Sequence, residues 1–294
     1  MSGPLQPSRY GEFHSRRLRL HYAEWGDPAQ PLMIMLHGGL EHCRSWDWLA
    51  RHFSQKYRVI CPDLRGHGDS DHSPGGAYTV LDSVYDLYRL VRHLDASPAV
   101  LVGHSYGGNV ATRYAALFGN DVRALVSIEG LSMGASFEPG NQPMPALHRL
   151  RAWYELQDKI DRSAPRQYAT IDAAVTRVLD YDPLLPRETA EHVTRHGLRQ
   201  NVNGTYSWKY DNLVCSVSVS DITPDELRSL WSAITCRVLL LNGKRSWASS
   251  PAADGRLAFF RDARVVEVED AGHNLHHHQP ELVATAIEAF LAGH

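Results

Sequence analysis

The sequence predicts an α/β fold, in which a mostly parallel central sheet is flanked by helices and a helical segment is inserted late in the sheet. Two observations predict it. Short apolar runs alternate with amphipathic stretches of helical spacing, which is the pattern of βαβ units. The alternation stops in the middle of the chain and then resumes. The strand-like runs are residues 17–26, 31–39, 57–64, 98–105, 122–130, 236–243 and 263–270, and the helical stretches are 45–55, 79–95, 106–118, 251–260 and 278–292.

The segment from 131 to 232 differs in character from the rest of the chain. It contains many Arg, Tyr and Trp residues, is broken by prolines and carries helical patches but few buried-strand runs. We therefore predict an α/β core formed by residues 1–130 and 233–294, and a mainly helical cap formed by residues 131–232. A domain inserted into such a connection covers the carboxyl ends of the strands, where open α/β sheets keep their sites.

Composition and charge exclude several classes of function. The 294 residues carry a net charge of −3, so no basic field points to nucleic acid or to an anionic membrane. The amino terminus has no apolar signal-peptide core, and no apolar run approaches the roughly 18 residues of a membrane span. The four cysteines are widely separated and show no ligand spacing, so we expect reduced thiols in a cytoplasmic protein.

A candidate nucleophile lies at residues 103–107, GHSYG, which fit the pattern G-x-S-x-G. The motif follows an apolar strand and precedes an amphipathic helix, the setting in which its glycines permit a tight turn that projects Ser105. The helix that follows places its positive dipole end beside a developing oxyanion. The alternative is a glycine-rich strand-to-helix turn without chemistry.

A serine nucleophile needs a general base held by a third group. The chain has 17 histidines, so position must select one. His273 follows the last strand-like run and precedes the last helix, where a loop can bring its imidazole over Ser105. We expect His276, His277 and His278 on or beside the first turn of that helix, some of them facing solvent. His273 and His277 are four residues apart but lack the intervening Glu of H-E-x-x-H, so we predict no metal and no cofactor.

Four motifs in this order resemble the α/β-hydrolase superfamily: LHGG at 36–39, CPDLRGHGDS at 61–70, GHSYGG at 103–108 and AGHNLHHHQPE at 271–281. The resemblance covers nearly the whole chain outside the insert. It implies an α/β-hydrolase fold with a cap, and within the superfamily the motifs are similar to bacterial serine hydrolase-like members of esterase or thioesterase type. It also implies that the turn at 63–70 is structural.

The third group of the triad departs from the commonest pattern of the superfamily. Most members have an Asp after the strand that follows the insert, but residues 241–247, LNGKRSW, contain no carboxylate. The nearest candidate, Asp254, lies farther along the chain. In some members the acid follows the strand before the cap, and Glu129 matches that place. The order Ser105, Glu129, His273 also obeys the order of this fold. Alternatively, Glu129 caps the strand or pairs with an arginine of the cap.

An oxyanion hole needs two backbone N–H donors directed at the developing charge. Tyr106, the residue after the nucleophile, supplies one. By resemblance the residue after His-Gly in the first motif supplies the other, which is Gly39, with Leu40 as the alternative. The resemblance also implies that His37 braces this loop.

Serine rather than aspartate at the elbow argues against dehalogenase and epoxide hydrolase chemistry, which in this superfamily uses Asp. We therefore predict hydrolysis of an ester, thioester or lactone through an acyl-enzyme. Alternatives are C–C bond or amide hydrolysis, or a non-catalytic binder that uses the serine pocket. The expected partner is a small-molecule acyl substrate, free or bound to an acyl carrier, and the oligomeric state is open. Candidate substrate contacts are His37, Leu40, Trp46, His104, Trp153 and Trp247.

Overall fold

A central sheet of eight strands dominates the computed structural model, which describes residues 6–131, 145–215 and 222–293. In chain order the strands are β1 (Arg9–Ser15), β2 (Leu18–Trp25), β3 (Leu32–Leu36), β4 (Arg58–Pro62), β5 (Ala99–His104), β6 (Val122–Ile128), β7 (Gln167–Tyr168), β8 (Leu198–Gln200), β9 (Tyr206–Trp208), β10 (Arg237–Gly243) and β11 (Ala263–Val268). The large sheet has the order β1-β2-β4-β3-β5-β6-β10-β11. Within this large sheet only the β1–β2 and β2–β4 pairs are antiparallel, so the predicted mostly parallel sheet is confirmed.

The middle strands are apolar along their length because helices cover both faces of the sheet. All five residues of β3 are buried. Ile34 and Leu36 belong to the hydrophobic cluster on one face, and Met33 and Met35 to the cluster on the other. This alternation is the two-residue period of a strand, and it secures the register of the sheet.

Nine helices accompany the strands in the described part of the chain, with short 3-10 turns between some of them. The helices are α1 (Asp47–Phe53), α2 (Val80–Leu94), α3 (Ser105–Leu117), α4 (Ala146–Asp161), α5 (Ile171–Tyr181), α6 (Arg187–Gly197), α7 (Pro224–Ala233), α8 (Leu275–His278) and α9 (Pro280–Ala292). α2, α3 and α7 pack on one face of the sheet, and α1 and α9 on the other. No helix within the described ranges is long and apolar enough to cross a membrane.

The segment between β6 and α7 forms a smaller unit in its described part. It contains α4, α5, α6 and the antiparallel sheet β7-β9-β8, with Val175, Leu185 and Ala190 in a small core of their own. α7 buries Leu227 and Trp231 in a cluster of the main sheet, although all but its last residue fall within the predicted cap. Residues 132–144 and 216–221 of the predicted cap lie outside the described residues, so its boundaries stay a prediction.

Three elements differ from the sequence prediction. β1 has no apolar alternation to predict it, since only Phe13 and Ser15 of its seven residues are buried. The helix predicted over 251–260 is wrong: Gly255 adopts a left-handed φ of 81°, and only a 3-10 turn, Arg256–Phe259, follows it. The last helical stretch is divided into α8 and α9, because Gln279 adopts a non-helical conformation between them.

Candidate functional site

The site is centred on the turn where β5 ends and α3 begins. Ser105 has a φ of 48°, a left-handed conformation that costs a non-glycine residue free energy and is concentrated at functional sites. The turn is possible because its glycines lack side chains. A Cβ on Gly107 would lie 2.3 Å from the carbonyl oxygen of Leu36, and one on Gly103 would lie 2.5 Å from the carbonyl oxygen of Gly107. Backbone contact with β3 therefore holds the serine at the carboxyl edge of the sheet.

Three side chains predicted to act together lie in hydrogen-bonding distance. His273 Nε2 is 3.0 Å from Ser105 Oγ, and His273 Nδ1 is 2.6 Å from Glu129 Oε2. The ionised carboxylate only accepts hydrogen bonds, so Nδ1 carries the proton and Nε2 is left to accept from the serine. This is the arrangement that lets an imidazole act as a general base towards a hydroxyl.

Glu129 follows β6 directly and is held from two sides. Its side chain is fully buried, and its φ of 46° is a second left-handed conformation at the site. Oε1 accepts a hydrogen bond from the Gly243 N–H at 2.8 Å, and Oε2 accepts a second one from Ser246 Oγ at 2.6 Å. The loop after β10, where most members of the superfamily carry their acid, thus supplies donors to Glu129. Sequence reasoning missed both donors.

Asp254, the other carboxylate considered from the sequence, is engaged elsewhere. Its oxygens accept from Arg256 Nε at 2.8 and 2.9 Å and from Ser249 Oγ at 2.6 Å. Arg256 in turn donates to the carbonyl oxygen of Leu131 at 2.8 Å. Asp254 therefore has a structural role in the turn that precedes β11.

The two predicted oxyanion donors belong to different elements, Tyr106 to α3 and Gly39 to the loop after β3. Tyr106 is in the first turn of α3, where backbone N–H groups have no partner within the helix. A Cβ on Gly39 would meet nothing within 4 Å, so this residue faces open space. The Leu40 N–H is instead directed at His67 Nε2, at 3.3 Å. These surroundings favour Gly39 over Leu40 as the second donor.

Three of the predicted substrate contacts have buried side chains. His37 accepts the Leu64 N–H through Nε2 at 3.0 Å and is fully buried. Trp46 is 1% exposed, and His104 is 2% exposed. Burial of this degree disfavours direct contact with a substrate, and the assignment of the three residues as contacts stays a prediction. The direction of a side chain is not visible in a sequence.

The other predicted contacts are more exposed. Trp247 is 70% exposed, and its ring lies 4.8 Å from that of His273. Leu40 is 45% exposed on the loop that carries Gly39. Trp153 lies on α4, half-buried, with its ring 5.0 Å from that of Tyr154. Among the exposed predicted contacts, Trp247 is therefore the residue whose ring lies beside that of His273.

A carboxylate that the sequence analysis missed, Glu41, lies beneath the site. Its Oε2 accepts the Gly38 N–H at 2.7 Å and lies 3.2 Å from His104 Nδ1, and its Oε1 lies 3.2 Å from His277 Nε2. Burial by itself raises the pKa of Glu41, but these imidazoles lower it by more, so the pKa lies well below its usual range. Glu41 thus connects the oxyanion loop to α8.

Hydrogen bonds connect the region of the chain around His273 to the segment between β6 and α7. Asp182, which follows α5, accepts from Asn274 Nδ2 and from His278 Nε2, both at 2.8 Å. His278 Nδ1 accepts the Gly272 N–H at 3.0 Å. The expectation that some of the three consecutive histidines face solvent is wrong. The side chains of His276, His277 and His278 are at most 5% exposed.

An eight-stranded α/β sheet that presents a serine at a strand-to-helix elbow is characteristic of one class of enzyme, the α/β hydrolases. The comparison with known families agrees with this class. The model of the alpha/beta hydrolase fold family matches residues 31–280, and the chain belongs to that family.

Relatives with different activities cover most of the chain. The sn-1-specific diacylglycerol lipase of Mus musculus is 27% identical over 277 residues, 91% of this chain and 83% of the mouse protein. Epoxide hydrolase 2 of Caenorhabditis elegans is 26% identical over 292 residues, 94% of this chain and 78% of the worm protein. Among solved structures, the thioesterase domain from the curacin biosynthetic pathway has a TM-score of 0.82 at 23% identity, covering 95% of this chain and 98% of that one. That likeness shows a common fold.

Proposed function

We propose that this chain is a serine hydrolase that cleaves an ester, thioester or lactone through an acyl-enzyme. Ser105 is the nucleophile, His273 the general base and Glu129 the acid that orients it. The observation that carries the proposal is the continuous hydrogen-bonded chain from Ser105 Oγ through both ring nitrogens of His273 to Glu129 Oε2, at 3.0 and 2.6 Å.

The reaction follows from this geometry in two halves. His273 Nε2 takes the hydroxyl proton as Ser105 Oγ attacks the acyl carbon, and the buried Glu129 stabilises the imidazolium that forms. The N–H groups of Gly39 and Tyr106 stabilise the negative oxygen of the tetrahedral intermediate. The imidazolium then gives its proton to the leaving group. A water molecule, deprotonated by the same nitrogen, attacks the acyl carbon, and the imidazolium returns this proton to Ser105 Oγ as the acid leaves.

The serine at the elbow also separates this chain from its relatives named epoxide hydrolases. By the resemblance described above, those members open their substrate with an aspartate that becomes an alkyl ester. A serine would form an ether there, which water does not hydrolyse under mild conditions, so an acyl substrate fits Ser105 better. The similarity to a protein named diacylglycerol lipase supports an ester. A carrier-bound thioester remains within the proposed class.

The test is labelling by a fluorophosphonate probe together with turnover of short p-nitrophenyl esters. Wild-type protein should be labelled and should turn over the esters, and Ser105→Ala should do neither. A panel of esters, thioesters and lactones of varied acyl length then identifies the substrate class. Wild-type protein that takes no label would favour the non-catalytic binder and overturn the proposal.

A further inference from the structure

A buried cluster of one carboxylate and two imidazoles lies beneath the catalytic loop. The ligand atoms of Glu41, His276 and His277 all lie within 4.8 Å of one another. Glu41 Oε1 is 3.2 Å from His277 Nε2 and 3.8 Å from His276 Nε2. Measured over the whole residue, backbone included, His276 and His277 are 3% and 6% exposed. The three side chains therefore converge on one point inside the protein.

His276 gives this cluster an unusual feature. Within the described part of the chain, neither of its ring nitrogens has a hydrogen-bond partner, although the imidazole is buried. Leaving a buried polar group unsatisfied costs free energy, so a group that binds these nitrogens would stabilise the arrangement. Nε2 points to the same Glu41 oxygen that His277 faces.

Two other clusters of possible ligands in the described residues differ in this respect. In the first, the imidazole of His21 already has a partner, since its Nδ1 lies 2.8 Å from Asp63 Oδ2. In the second, Arg44 donates to Asp47 at 2.6 Å, and its positive charge opposes a cation there. The side chains at hydrogen-bonding distance from the Glu41 carboxylate are the imidazoles of His104 and His277.

We propose that Glu41, His276 and His277 form a binding site for a transition-metal ion of the Zn²⁺ class. Imidazole nitrogen with carboxylate oxygen is a donor set that Zn²⁺ accepts, with water in the fourth position. Zinc–ligand bonds of about 2.0–2.1 Å place tetrahedral ligand atoms roughly 3.3 Å apart. The separation of Glu41 from His277, 3.2 Å, meets this value, and that of Glu41 from His276, 3.8 Å, exceeds it by about half an ångström.

The position of this site couples it to the proposed chemistry. The other oxygen of Glu41 holds the Gly38 N–H, next to the predicted oxyanion donor Gly39. The His276 ring lies 4.3 Å from that of His104, and His104 Nε2 is 3.1 Å from the carbonyl oxygen of His273. A divalent cation here disfavours the imidazolium that His273 forms during acyl transfer. The bound ion therefore inhibits, a consequence that rests on the proposed function, whereas the binding itself does not.

The binding is tested by titrating chelator-treated protein with ZnCl₂ in a calorimeter and with Co²⁺ by visible absorption. Wild-type protein should bind about one ion per chain, and Co²⁺ should show the intense bands of a four-coordinate site. His276→Gln and His277→Gln should each weaken binding by at least about tenfold. The matched control is His14→Gln, an exposed histidine on β1. Absence of binding, or equal affinity in all four proteins, would overturn the site.

Two further measurements keep the outcome clear. Thermal unfolding shows whether each variant folds, and Zn²⁺ should raise the melting temperature of wild type and of Ser105→Ala alike, since a ligand that binds the native state stabilises it. Zn²⁺ should lower kcat for p-nitrophenyl esters reversibly, and His277→Gln should need about tenfold more ion. Equal inhibition of wild type and His277→Gln would place the ion on His273 and overturn the coupling. A protein without esterase activity still answers the binding question.

Discussion

Replacing Glu129 by Gln tests the assignment of the acid most sharply, because the structure decides how the new amide would lie. Glu129 Oε1 accepts the Gly243 N–H at 2.8 Å, and Oε2 accepts from His273 and Ser246, both at 2.6 Å. The Gly243 N–H is fixed in the backbone, so it selects the amide oxygen at the Oε1 position. The NH₂ group of Gln then faces His273 Nδ1.

This orientation forces the wrong tautomer on the imidazole. With an N–H donor facing it, His273 Nδ1 becomes an acceptor, Nε2 keeps the proton, and Ser105 loses its base. Ser246 does not oppose this change, since its hydroxyl can turn to accept as well as donate. In serine enzymes with an Asp in this place, the same amide substitution lowers kcat about 10⁴-fold. We expect a loss of roughly 10³- to 10⁴-fold here, or about 4 to 5.5 kcal/mol of transition-state stabilisation.

The assay is kcat for a short p-nitrophenyl ester, with circular dichroism to show that the variant is folded. Asp254→Asn is the matched control, since this carboxylate is engaged by Arg256 and Ser249. It should keep kcat within a few-fold of wild type in the folded fraction. A Glu129→Gln enzyme within tenfold of wild type, or an equal loss in Asp254→Asn, would refute the assignment of Glu129.

Three further changes probe the support of the site. Ser246→Ala removes a donor to the Glu129 carboxylate and should lower kcat about tenfold while KM is little changed, with recovery in Ser246→Thr, measured by ester hydrolysis over pH. Gly107→Ala places a Cβ 2.3 Å from the Leu36 carbonyl oxygen and should cost at least about 2 kcal/mol of stability in urea unfolding, whereas an unchanged midpoint would contradict the close packing. Burial by itself raises the pKa of Asp63, but hydrogen bonds from His21 and the backbone hold that pKa well below its usual range. The pKa of Asp63 is lower in the folded than in the unfolded state, so this stabilisation is complete above about pH 4 and is lost as the pH falls. In acid, the free energy of unfolding of Asp63→Asn should therefore depend less on pH than that of wild type.

Much of the fold was visible in the sequence because its signals are local. The unbroken apolar run of β3 and the flanking helical patterns predict a parallel sheet without knowledge of which strands pair. The motif around Ser105 predicts a strand-to-helix elbow, and the structure shows that turn with its left-handed serine. β1 carries too few buried residues for such a signal, and its pairing with β2 only becomes visible in the sheet.

The candidate site was visible only in outline. The order of Ser105, Glu129 and His273 along the chain is compatible with the fold, and their hydrogen-bonding distances agree with joint action, while their roles stay a prediction. The direction of each buried side chain was not accessible in this way. His104 ends β5, next to Ser105, and Trp46 ends a 3-10 turn, yet packing turns both away from solvent.

The sequence by itself determined the class of fold and the strand-to-helix elbow, because both depend on residues that are neighbours along the chain. It also predicts Ser105, Glu129 and His273 as nucleophile, acid and base, in an order that the fold allows. Tertiary structure alone decided what surrounds them: Gly243 and Ser246 hold Glu129 from 114 and 117 residues away, and Glu41 meets His277 across 236 residues. Such contacts depend on which strands pair and on how loops fold over the edge of the sheet, and neither is visible in a short stretch of sequence.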